Sequence, residues 1–78
     1  MQYERCKQML LAMYPDSKMV AAYALPTAYI FALLPKDAKD GEYLAGFFKV
    51  SPDGKEITEY SPVMDTSEFK RALKNRIE

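Results

Sequence analysis

Apolar residues recur with a helical period at the start of the chain. Cys6, Leu10 and Met13 stand at positions i, i+4 and i+7, and the polar side is filled by Glu4, Arg5, Lys7 and Gln8. This spacing predicts a helix over residues 3–14 that turns one apolar stripe toward a core. Pro15 then ends the helix, because the residue before a proline is disfavoured in the α region.

The next segment, MVAAYALPTAYIFALLP, runs for 17 residues from Met19 to Pro35 without a charge. A membrane helix needs about 20 apolar residues, and Pro26 in the middle of a helix would cost roughly 3 kcal/mol. We therefore predict no membrane span, and a break at Pro26 between two short elements. Aromatic and branched residues predict a strand over residues 28–34. Residues 18–25 fit either a helix capped by Ser17 or a strand that forms a hairpin with the next one, and we favour the strand.

A polar loop over residues 35–42 leads to a second clear strand over residues 43–50. The turn SPDG follows at Ser51–Gly54, where proline presets φ at the second position and glycine tolerates a left-handed conformation. Residues 56–60 then return as the second strand of a hairpin. Its two glutamates favour an edge position beside water.

A helix start is predicted near residue 65. Asp65 and Glu68 have the spacing of a capping box, and Met64 and Phe69 have the spacing of a hydrophobic staple. The apolar stripe of this last helix is predicted to continue to Ile77.

These elements predict a single small α+β domain of 78 residues. Its order is an N-terminal helix, a three- or four-stranded antiparallel meander sheet and a C-terminal helix.

The two central strands are apolar on both of their alternating sides, so both faces of the sheet should be covered. Either one helix packs on each face, or both helices share one face and a partner covers the other. The second arrangement predicts a homodimer or another protein partner on an aromatic sheet face. The residues proposed for that partner interface are Tyr29, Phe31, Tyr43 and Phe47.

Eleven basic and eleven acidic residues cancel over the whole chain, but not locally. The segment from Asp40 to Glu68 contains seven carboxylate residues but only two lysines. This excess suggests an acidic surface at Asp53, Glu56 and Glu59 that docks on a basic protein.

The chain ends with a basic segment. Lys70, Arg71 and Lys74 are the candidate residues for an alternative function, weak nucleic-acid binding by the C-terminal helix. A net charge of zero argues against a strong field toward nucleic acid, so we expect that function less.

The sequence contains few of the residue types and motifs that enzymes use for catalysis. The chain has no histidine and one cysteine, Cys6, which the helical stripe places in the core. No glycine-rich phosphate loop and no metal-ligand spacing is present, so the sequence predicts no enzyme, no metal and no cofactor. The N-terminal residues do not resemble a signal peptide, which makes the cytoplasm the expected location. The expected function is therefore binding, through a protein partner or self-association.

Overall fold

The computed structural model describes residues 2–38, 46–64 and 66–77, which form an α+β fold. A four-stranded antiparallel sheet has the strand order β1-β2-β3-β4, so the predicted meander and the two terminal helices are confirmed. No described helix is long and apolar enough to cross a membrane. The elements are α1 (Gln2–Met13), β1 (Ser17–Leu25), β2 (Ala28–Pro35), β3 (Gly46–Val50), β4 (Ile57–Tyr60) and α2 (Thr66–Leu73).

The uncharged segment forms the hairpin β1–β2, which confirms the strand interpretation of residues 18–25. Pairing runs from Leu25 opposite Ala28, beside the turn at Pro26, to Ser17 opposite Pro35. Val20 is the extra residue of a bulge and lies partly exposed. In this hairpin the backbone groups of both strands find partners, which an apolar helix interrupted by proline would not allow.

Helix α1 covers one face of the sheet. Its stripe residues Cys6 and Leu10 are buried, as predicted, but Met13 is 55% exposed and does not join them. Tyr14, directly after the helix, contacts Phe48 instead, with ring centroids 5.0 Å apart. The buried residues of this core are Cys6, Leu10, Ala22, Phe31, Leu33 and Val50.

Helix α2 covers the opposite face. Ala72 is fully buried against the sheet, and Phe69 packs beside it. The other buried residues of this second core are Ala21, Tyr23, Ile30, Ala32 and Tyr60. Each face therefore has its own helix, and the alternative with both helices on one face is wrong. The homodimer stays a prediction, but within the described residues it loses the bare sheet face on which it rested.

The chain after α2 does not continue as a helix. The helix ends at Leu73, and the segment Asn75–Ile77 lies along the outer edge of β1. Ala24 N–H donates to Asn75 O at 3.0 Å, and Ile77 N–H donates to Ala22 O at 2.7 Å. The prediction of a stripe to Ile77 is wrong because the edge of β1 offers these residues backbone partners that a terminal helical turn lacks.

The predicted start of α2 is only partly described. Asp65, the proposed cap, lies outside the described residues, and Met64 is 82% exposed instead of stapling the helix to Phe69. The hydroxyl of Thr66 donates to Val63 O at 3.1 Å in the turn that precedes the helix.

Candidate functional site

The predicted partner residues do not share one surface. Tyr29 and Phe31 face α1, and Phe31 is completely buried there. Phe47 lies on the opposite face and packs against Phe69 of α2. Tyr43 lies outside the described residues. Phe31 is therefore corrected from a partner residue to a core residue, because no part of its ring reaches the surface.

The three proposed acidic residues also divide. Asp53 accepts hydrogen bonds from Ser51 Oγ at 2.6 Å and from Lys55 N–H at 3.0 Å, inside the turn between β3 and β4. These bonds lower the pKa of the Asp53 carboxyl, the Ser51 bond most of all. Glu59 is exposed on β4 and Glu56 is exposed directly before it, and the alternation of strand residues, continued to Glu56, puts the two on opposite faces. Of the three, Asp53 stabilises the turn that contains it, whereas the two glutamates lie beside the outer edge of the sheet that β4 forms.

The basic residues proposed for nucleic acid are all exposed. Lys70 and Arg71 lie on α2, whereas Lys74 follows the last helical residue. Lys74 N–H donates to Arg71 O at 3.2 Å, and the helix thus closes with a tight final turn.

A feature absent from the sequence predictions is an open cleft of about 610 Å³ where β3 begins and β4 ends. We call it the apolar cleft. It is lined by Gly46, Phe47, Phe48, Glu59, Tyr60, Ser61, Pro62, Val63 and Phe69.

The cleft exists because α2 is short. A helix of eight residues is about 12 Å long, and the single buried residue of α2, Ala72, packs mainly with residues of β1 and β2. On the side of β3 and β4, Phe69 is the aromatic residue of α2 that packs against the sheet. Its ring meets Phe47 edge-on at 5.4 Å between centroids and Tyr60 at 6.4 Å. Phe47, Phe48 and Tyr60 of the sheet therefore line the cleft beside Phe69 of the helix.

The rim of the cleft is also apolar. Val63 is 85% exposed at the rim, and its neighbour Met64 is 82% exposed but does not line the cleft. Isolated exposed apolar side chains are normal, but here the exposed valine is one of the residues that line an aromatic cleft and adds to its apolar lining.

Within the part of the chain that the structure describes, Lys49, Glu59 and Glu68 are charged residues in or beside the cleft. Lys49 Nζ lies 5.9 Å above the centre of the Tyr60 ring and donates to Glu68 Oε1 at 3.2 Å, so it ties α2 to β3. Glu59 is the charged residue among those that line the cleft. The cleft with Glu59 in its lining is suited to a ligand that has an apolar group and a positive charge next to it.

The remaining candidate for chemistry, Cys6, is a core residue. It is 1% exposed, and its Sγ lies 3.5 Å from Ser51 O. Burial raises the pKa of this thiol, an effect that Arg5 opposes. The described residues contain no group of histidine, cysteine and carboxylate side chains that could hold a metal ion.

Sequence reasoning missed Tyr60, Val63 and Phe69 as site residues. The available signal was the stretch SPVM at residues 61–64, which places two apolar residues in a turn without charge. The sequence analysis assigns only Met64 of this stretch, to a hydrophobic staple with Phe69, because spacing alone does not show whether the helix folds back over these side chains.

Comparison with protein-family models, curated proteins and solved structures gave no significant match to this chain.

Proposed function

We propose that this protein is a binding domain that holds an apolar segment of a partner protein in the apolar cleft. The observation that carries the proposal is the open cleft of about 610 Å³, lined by four aromatic residues and bordered by Val63, which is 85% exposed. Surfaces of this kind mark interaction sites, since ordinary protein surface does not gather so many apolar groups.

A protein segment fits this cleft better than a small metabolite. Small-molecule sites combine apolar walls with several placed polar groups that orient the ligand. Among the described residues that line this cleft the charged one is Glu59, and four are aromatic, Phe47, Phe48, Tyr60 and Phe69. Aromatic side chains surrounded by apolar neighbours are typical of the centres of protein interfaces.

Val63 and Met64 provide a matched pair of variants. They are adjacent and almost equally exposed, but only Val63 lines the cleft. Peptides would be selected on the wild-type protein from a random library, and their affinities measured by fluorescence anisotropy. We expect Val63→Asp to weaken binding about tenfold or more, because a carboxylate at the rim would have to be desolvated under the bound segment. Met64→Asp should change affinity less than about twofold, as for residues outside an interface.

Two results would contradict the proposal. One is an equal loss in both variants while circular dichroism shows that both remain folded. The other concerns residues 39–45, which precede Gly46 and lie outside the described residues. If Leu44→Ser strengthened peptide binding, the chain itself would be competing for the cleft, and the cleft would not be a free partner site.

Nucleic-acid binding remains the second candidate, supported by one observation. Lys70, Arg71 and Lys74 are exposed together, while Glu68 of the same helix is engaged by Lys49. The double variant Lys70→Glu, Lys74→Glu should then lose its retention on a DNA column, since each phosphate contact adds to a salt-dependent affinity. Equal elution of wild type and variant at low salt would remove this candidate.

A further inference from the structure

The sheet has two outer edges, which differ in whether another part of the described chain pairs with them. The edge of β1 is occupied along its second half by the segment Asn75–Ile77, through the two hydrogen bonds to Ala24 and Ala22 described above. β4 forms the other edge, and within residues 2–38, 46–64 and 66–77 no strand pairs with its outer side. β4 also contributes Glu59 and Tyr60 to the apolar cleft.

The pairing pattern shows which backbone groups of β4 point outward. Ser51 N–H donates to Glu56 O at 2.9 Å, in register with the β3–β4 pairs. Hydrogen-bonded and non-hydrogen-bonded pairs alternate in an antiparallel ladder. Thr58 and Tyr60 therefore direct their backbone groups at β3, and Ile57 and Glu59 direct theirs at the open edge.

Charge distinguishes the possible occupants of this edge. Glu59 on β4 and Glu56 directly before this strand are both exposed, and the alternation of strand residues, continued to Glu56, puts them on opposite faces. A second copy of the chain that paired through β4 would bring four carboxylates to one seam, and opposed like charges destabilise paired strands. A segment with lysine or arginine at the matching positions would instead place opposite charges across the seam.

We infer that β4 accepts an extended, basic segment of a partner protein as an additional antiparallel strand. This inference rests on the proposed function, because the same segment places one apolar side chain in the apolar cleft. Backbone hydrogen bonds to Ile57 and Glu59 hold the segment, and alternate side chains select it. The residue opposite Tyr60 is apolar and enters the cleft, and the residues opposite Glu59 and Glu56 are basic. Read from its N-terminus, the segment has the pattern apolar–basic–any–any–basic.

The test uses the synthetic peptide Thr-Leu-Lys-Thr-Val-Lys-Thr, in which leucine is opposite Tyr60 and the first lysine is opposite Glu59. N-methylation of that lysine removes a donor aimed at β4 and should weaken binding about tenfold, the usual effect of a lost interface hydrogen bond. N-methylation of the leucine is the matched control, because its amide points away from β4, and it should change affinity less than about threefold. Replacing both lysines by glutamate should abolish binding at low salt.

The outcomes of these experiments distinguish a failure of this inference from a failure of the proposed function. If Val63→Asp weakens peptide binding but the two N-methylated peptides bind equally, the cleft binds its partner without strand addition, and the inference is overturned. If Val63→Asp leaves the affinity unchanged, the proposed function itself fails. Equal binding of the lysine and glutamate peptides would overturn the assignment of a basic partner. Slower hydrogen exchange at the amides of Ile57 and Glu59 in the complex is the direct signature of the added strand.

Discussion

Replacing Phe31 tests whether the aromatic side chains of the central strands are core or interface. Phe31 lies in the middle of β2, with Ala22 opposite it on β1 and Phe48 opposite it on β3. It has no exposed surface. If it is a core residue, its truncation must destabilise the isolated chain. If it belonged to a partner surface, truncation would leave the isolated chain almost unchanged.

The size of the effect follows from the surroundings of the ring. It stacks on Tyr3 of α1 with centroids 5.8 Å apart and an interplanar angle of 19°, and it contacts Tyr29 at 6.3 Å. Truncating a buried phenylalanine to alanine costs about 3–5 kcal/mol, against a total stability of about 4–12 kcal/mol for a chain of this size. Because Phe31→Ala is therefore close to unfolding the protein, Phe31→Leu is the more informative variant. We expect it to cost about 1–1.5 kcal/mol, the usual cost of a conservative apolar exchange, and to lower Tm by about 4–12 °C.

Urea unfolding followed by circular dichroism at 222 nm measures this free energy, with Val63→Ala as the exposed control. The control should change stability by less than about 0.5 kcal/mol. The reasoning is refuted if Phe31→Leu costs no more than the control at an unchanged m-value.

Repeating the wild-type titration over a hundredfold range of protein concentration tests the predicted homodimer. A midpoint that rises with concentration would show that self-association contributes to stability.

Three other changes probe single features of the fold. Gly54→Ala should lower the urea midpoint by an amount equivalent to about 1–2 kcal/mol, because Gly54 has φ 76° and a Cβ there would lie 2.9 Å from Met9 Sδ; an unchanged midpoint would contradict that turn geometry. Ile77→Pro removes the N–H that bonds Ala22 O, so it should cost about 1 kcal/mol and speed hydrogen exchange along β1; unaltered exchange would mean that this edge is open in solution. Asp53→Ala should flatten the acid side of the stability–pH curve, because the folded pKa of Asp53 is lowered. The stability it contributes is present above its unfolded pKa near 4 and is lost as pH falls through the lowered folded pKa; identical acid limbs for both proteins would refute this.

The strands and the first helix followed from local signals. The Pro26 break, the SPDG turn and the run of aromatic and branched residues from Ala28 each act over a few neighbouring residues, and each marked a real boundary. The secondary structure of residues 18–25 is harder to predict, because their helix and strand propensities compete. Pairing with β2 decided them, since it supplies backbone hydrogen bonds along the whole segment.

The end of the chain shows the opposite case. Ile77 stands four positions after Leu73, a helical spacing, and the prediction of a longer helix used that spacing alone. An open edge of β1 lies beside them in the folded chain, and pairing with it satisfies backbone groups that a frayed helix end would leave to water. No local pattern carries information about that neighbouring edge.

The sequence by itself determined the order of the elements and their type, except over residues 18–25, and it placed the single cysteine in the core. Periodicity, prolines and turn residues act locally, and they can be identified without knowing the fold. Only the tertiary structure decided which face each side chain occupies. Alternation in a strand separates Phe31 from Phe47 but does not say that one is sealed under α1 and the other borders a cleft. The cleft itself follows from the short reach of α2 over the sheet, a relation between elements distant in the chain.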